Sequence, residues 1–138
     1  ALLTSVFTGR HADATVSLKT PSVTCSITAA LPMVSTTKQL SGASSVTCAA
    51  STATSITVTV QVIELDGTLI DQLSGQFLAS SSKALASGQK ASWKVSTPAG
   101  PCPNADPDGR EDFYTVATIS GGGKTVFERL GKLDSWSC

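Results

Sequence analysis

The stretch "SITVTVQVIELDGTLIDQLSGQF", residues 55–77, decides the fold. Ile56, Val58, Val60 and Val62 alternate with Thr57, Thr59 and Gln61. Successive side chains of a strand point to opposite faces, so this two-residue period builds one apolar face and one hydroxyl-bearing face. The β-branched residues suit a pleated, half-buried surface. Asp66-Gly67 then offers the positive-φ positions of a tight hairpin, and Thr68, Leu69 and Ile70 carry the chain back.

Outward from this stretch the same pattern recurs in short pieces: "ATVSLKT", "SVTCSITAAL", "SVTCAAS", "KASWKVST", "FYTVATIS" and "KTVFERLGKL". Turn chemistry separates them at Leu31-Pro32, Ser41-Gly42, Ser87-Gly88, Pro98 to Asp108 and Gly121 to Gly123. Short strands with such punctuation imply an all-β sandwich or barrel. Only "FLASSSKALASG", residues 77–88, tolerates a helix, and its serines equally allow a loop. The quartet "SVTC" occurs at 22–25 and again at 45–48, too short a match to establish a repeat. The expectation is a single all-β domain over residues 1–138, an immunoglobulin-like or related Greek-key sandwich.

The chain has 138 residues, enough for one core of ordinary size. Ten basic and ten acidic residues leave a net charge of zero, and only 14% of residues are charged. That balance argues against a surface of one strong sign, so neither nucleic acid nor an anionic membrane is an expected partner. No apolar run is long enough for a membrane helix. Ala1 at the start suits a processed product whose signal peptide has been removed.

Cys25, Cys48, Cys102 and Cys138 lie far apart, in no metal-ligand spacing. An even count of scattered cysteines reads as two disulfides and hence as an oxidising, secreted or cell-surface location. Three connectivities exist, and spacing does not choose among them.

"ISGGGKTV", residues 119–126, resembles the end of a phosphate-binding loop. Such a loop needs another glycine ahead of its Gly-Lys pair, where Thr118 stands, and must open a helix. The residues after Lys124 are β-branched and aromatic, so the glycines are expected to turn a hairpin and no nucleotide is expected.

Other chemistry is sparse. His11 is the sole imidazole, in "GRHADA", with no nucleophile-elbow pattern elsewhere. Glu64, Glu111 and Glu128 show no sign of convergence for glycoside hydrolysis. Trp93, Tyr114, Phe127 and Trp136 are too scattered for a sugar platform and are expected to pack in the core or at its edge. No catalytic residue and no cofactor are expected. In "PNADPDGRED", Asn104, Asp106, Asp108 and Gly109 occupy positions 1, 3, 5 and 6 of an EF-hand loop, but Thr115 stands where the closing glutamate belongs. A solvated turn is the favoured reading, because Pro-Asp-Gly is turn chemistry. Calcium is the ion these oxygen ligands would suit, with Glu111 and Asp112 as substitute carboxylates. The N-terminal "ALLTSVF" is apolar: Leu2, Leu3, Val6 and Phe7 are expected to add a strand to their own sandwich or to a neighbouring copy.

"SGASSVTCAASTATSITVTVQVIELDG" and "STPAGPCPNADPDGREDFYTVATI" together resemble small secreted actinobacterial β-sandwich proteins of unknown function. In these a Cys ends a short strand, a valine-rich strand and an Asp-Gly or Asn-Gly turn come next, and a second Cys precedes a Tyr-containing strand. The likeness covers about residues 40–120. It implies a Cys48–Cys102 pair, which leaves Cys25 with Cys138; a direct Cys25–Cys48 link between neighbouring strands is the main competitor. The expected function is a non-catalytic extracellular protein acting by protein–protein contact, with itself or another protein as partner. The alternative is a soluble binding module or protease inhibitor that presents the Pro98–Asp108 loop around Cys102.

Overall fold

The computed structural model describes residues 14–30, 32–66, 69–72, 77–101 and 112–134. In chain order the strands are β1 (Ala14–Lys19), β2 (Val23–Ala29), β3 (Met33–Val34), β4 (Gln39–Ser41), β5 (Ala43–Ala50) and β6 (Thr54–Asp66). After them come β7 (Leu69–Gln72), β8 (Leu78–Leu85), β9 (Lys90–Ser96), β10 (Gly100–Pro101), β11 (Asp112–Gly121) and β12 (Lys124–Asp134). One antiparallel sheet runs β1-β2-β5-β9. The second runs β12-β11-β6, and the long β6 pairs β8 along its first part and β7 along its last. A small third sheet, β10-β4-β3, lies beside them.

The two large sheets pack face to face as a β-sandwich, and the alternation in sequence shows why. Ile56, Val58 and Val60 of β6 are fully buried, as are Ala117 and Ile119 of β11. They meet Leu18, Val23, Ile27 and Val46 from the opposite sheet in one continuous core. Each such aliphatic side chain contributes about 1.5–3 kcal/mol by leaving water. A second cluster, Leu40, Val62, Phe77 and Phe113 with Val34 against it, seats the small sheet on the last part of β6.

The disulfide joins Cys25 to Cys48. This overturns the Cys48–Cys102 and Cys25–Cys138 pairing implied by the resemblance and selects its competitor. Register supplies the reason: Cys25 lies directly opposite Cys48 across the β2–β5 ladder. The ladder bonds Ala30 N to Ala43 O and Ser51 N to Ser22 O place hydrogen-bonded pairs at even-numbered positions of β2. Cys25 and Cys48 therefore form a non-hydrogen-bonded pair, the kind in which side chains approach most closely, and their Cα atoms are 4.0 Å apart. Both are buried in the core. Cys102 and Cys138 lie outside the described residues.

The segment that tolerated a helix is a strand. β8 pairs with β6 from Thr54↔Leu85 to Gln61↔Leu78. Ser82 and Ser80 meet Thr57 and Thr59 hydroxyl to hydroxyl at 3.1 and 3.4 Å, while Leu85 enters the core. Pairing with a half-filled sheet overrides the intrinsic preference of an Ala-Ser segment. The hairpin expected at the triple glycine is present: Gly122 and Gly123 have φ of 58° and 81°. Ser41-Gly42 is not a turn. There the chain passes from the small sheet into β5, and Gly42 is so enclosed that a Cβ would sit 2.7 Å from Val62 Cγ2.

Candidate interaction surfaces

The strands that send valine and isoleucine inward send hydroxyls outward. On the first sheet Thr15 pairs with Thr28 at 2.7 Å and Thr47 with Ser92 at 3.0 Å. On the second, Thr57 and Thr59 meet the serines of β8. Cross-strand neighbours hold these short side chains in place, so both outer faces carry rows of hydroxyls. Among the described residues the exposed large hydrophobics are Met33 and Leu78.

At one end of the sandwich the turns β1–β2, β5–β6, β8–β9 and β11–β12 come together. Thr20 Oγ1 accepts from the backbone N–H groups of Ser22 and Val23 at 3.2 and 3.1 Å. Ser51 Oγ donates to Pro21 O at 2.7 Å, and Ser87 Oγ donates to Ser51 O at 2.9 Å. Gly88 N reaches Ala50 O at 2.8 Å, and Gly122 packs against Thr20 so closely that a Cβ would meet its Oγ1 at 2.4 Å. This turn end carries exposed lysines: Lys19 closes β1, Lys90 opens β9 and Lys124 opens β12. Nearby, Lys83 stands 5.3 Å over the Trp93 ring, a cation–π contact between β8 and β9 that joins the sheets at one edge. Lys19, Lys90 and Lys124 form no ion pair among the described residues. Two notches open beside them on opposite outer faces. One, of about 300 Å³, is lined by Ser55, Thr57, Ser120 and the glycine turn up to Lys124. The other, of about 350 Å³, is lined by Ser17, Thr24, Ser26, Thr47, Ala49 and Lys90 together with the Cys25–Cys48 pair, and its lining is mostly apolar.

Several acidic residues take backbone positions toward the opposite, far end. Register places Asp66 at the tip of β6, Asp71 opposite Glu64, and Asp112 opposite Asp134. Glu64 itself is only 2% exposed, and its Oε2 has no hydrogen-bond partner among the described residues. Ser44 Oγ and Thr115 Oγ1 are buried and unpartnered in the same interior. A Cβ on Gly42 would stand against Val62 Cγ2 and Thr115 Oγ1, and the Gly42 N–H donates to Thr97 Oγ1 at 3.0 Å. Lysines are not confined to the turn end: Lys94 of β9 pairs with Ser45 in the far half of its sheet, and Lys38 precedes β4.

Several sequence expectations fall outside the described residues: His11, the N-terminal Leu2, Leu3, Val6 and Phe7, and the acid-rich Asn104, Asp106, Asp108 and Glu111. Asp112 is the first residue of β11, at the far end. Among the described residues no cluster of three or more His, Cys, Asp or Glu side chains could hold a metal ion. No helix among them is long and apolar enough to cross a membrane. Trp93 lies half-buried against the main core, and Tyr114 packs with Ile63 and Val116 on the outer side of the second sheet. The burial of Glu64 and the gathering of lysines were not read from sequence. A carboxylate in the inward phase of the Ile56–Val62 alternation was the available signal for the first. For the second, the signal was the placing of Lys19, Lys90 and Lys124 beside turns. No protein-family model and no curated protein sequence matches the chain.

Proposed function

We propose that this chain is a secreted or cell-surface structural protein that works without catalysis, by protein–protein contact over the exterior of an immunoglobulin-like Greek-key sandwich. It assembles with copies of itself through the apolar residues that precede β1. The rows of paired hydroxyls on both outer faces carry this reading. Serine and threonine lose little rotamer entropy on burial, and their hydroxyls adapt to many partners, as they do in antibody paratopes. A Cys25–Cys48 bond suits an oxidising compartment. Sheet neighbours that are not consecutive in the chain, such as β2 with β5 and β6 with β11, support the Greek-key connection. For assembly the support is positional. β1 is the edge strand of its sheet, and Leu2, Leu3, Val6 and Phe7 come just before it. An edge strand exposes unpaired backbone groups to strand addition. Sedimentation velocity over a wide concentration range, on the full chain and on a chain lacking residues 1–10, tests this. Concentration-dependent oligomers that vanish on truncation are expected. A full-length chain that stays monomeric throughout rules assembly out.

One observation favours the second reading, a binding module or protease inhibitor. Pro98 and Ala99 are exposed, while Gly100 and Pro101 are anchored on β4, so the root of the Pro98–Asp108 segment is fixed. Inhibition in a protease panel that survives removal of residues 1–10 would select it.

A further inference from the structure

We propose that the outer face of the first sheet binds an acidic polysaccharide, with one uronate unit of that polymer seated in the notch beside Lys90. This activity is separate from assembly and does not rest on it. The strands of the sheet, β1, β2, β5 and β9, contain no aspartate or glutamate. Their charged residues are Lys19, Lys90 and Lys94, all exposed and all in the outward phase with the hydroxyls. None of the three forms an ion pair among the described residues. Register runs Lys19, Thr24, Ala49, Lys90 across the four strands, which sets the two lysine backbones roughly 14 Å apart at about 4.8 Å per strand. Lys94 follows Lys90 four residues along β9, again about 14 Å away. This face therefore has one sign although the whole chain is neutral.

The notch of about 350 Å³ lies between that row and the next, Ser17, Ser26, Thr47, Ser92. Its surface is mostly apolar, yet Ser17, Ser26 and Thr47 border it with hydroxyls and Lys90 with an ammonium. A pyranose ring has the matching parts: C–H groups on its face, oxygens around its edge and, in a uronate, a carboxylate. One sugar unit thus meets apolar surface, hydroxyl partners and a charge-assisted bond together. Lys19 and Lys94 stand too far from Lys90 to share its carboxylate and meet others along the polymer. Two other polyanions fit less well. Single-stranded nucleic acid stacks its bases on aromatic side chains, and the outward positions carry none, because Trp93 falls in the inward phase. An anionic membrane needs apolar side chains to enter it, and the exposed Met33 and Leu78 belong to other strands.

The test is titration calorimetry of the full chain with a short oligogalacturonate. A neutral malto-oligosaccharide of equal length, and polyglutamate and single-stranded DNA of equal charge, serve as comparisons. The oligogalacturonate should bind more tightly than all three. Lys90→Gln should weaken it about tenfold or more, and Lys19→Gln/Lys94→Gln should weaken it severalfold. Lys124→Gln, beside the notch of the other sheet, should leave it unchanged. Ala49→Gln and Ser26→Gln each crowd the notch without altering charge, and each should weaken binding about tenfold. Thermal midpoints show which variants fold, and misfolding of one notch variant leaves the other to decide. A parent chain that does not bind the oligogalacturonate overturns the proposal. So does equal affinity for polyglutamate or DNA, which would mean attraction by charge alone. Notch variants that bind like the parent, or a loss in Lys124→Gln as large as in Lys90→Gln, overturn the assigned site.

Discussion

The two ends of the sandwich solve the same problem in opposite ways. At the turn end, polar side chains close the connections: Thr20, Ser51, Ser87 and Gln89 each hydrogen-bond a backbone group of a turn. At the far end, Ser44, Thr115 and Glu64 carry buried polar atoms without partners among the described residues. The turn end is laced by short-range chemistry and tolerates being small. The far end depends on close packing and keeps unspent hydrogen-bonding capacity inside. A buried donor or acceptor left unsatisfied costs about 1–3 kcal/mol; three such atoms lie toward the far end, and Trp93 Nε1 on β9 is a fourth.

The largest effect should come from unstapling the turn end. The Cys25–Cys48 bond closes a loop with a sequence separation of 23 residues. Cys25→Ala/Cys48→Ala should lose about 3 kcal/mol, read from the denaturant midpoint. Amide exchange should then quicken in β2 and β5 near the turn end; quickening confined to the far end would show that the bond does not staple the turn end. Next in size is Gly42→Ala. The new Cβ would lie 2.7 Å from Val62 Cγ2 and 3.2 Å from Thr115 Oγ1, so overpacking should cost about 2 kcal/mol. A neutral result would mean that the far-end interior is loose rather than close-packed. The smallest effect has the opposite sign. Glu64→Gln removes a charge from a buried site whose Oε2 lacks a partner among the described residues, and should raise stability at neutral pH by about 1 kcal/mol. A loss of several kcal/mol would instead show that the carboxylate is paired.

Much of this architecture was legible in the chain. The Ile56–Val62 alternation gave β6 and its inward face, and the triple glycine gave the β11–β12 hairpin, because both signals are local and steric. β8 was not legible. Its alanines and serines suit several conformations, and only the free edge of β6 selects the strand. The disulfide also escaped, since spacing left three pairings open and only the β2–β5 register sets Cys25 opposite Cys48. The candidate surfaces were legible as hydroxyl-rich strands but not as a lysine-bearing turn end.

Sequence alone determined that the chain is β-structured, which side chains of β6 face inward, and where the glycine hairpin turns. Those properties come from the two-residue period of a strand and from backbone sterics, each set within a few residues. Tertiary structure alone decided which strands are neighbours, which cysteines bond, that Glu64 is enclosed, and that Lys19, Lys90 and Lys124 share the turn end. These depend on register and on which turns are gathered at the same end, and residues far apart in the chain fix both.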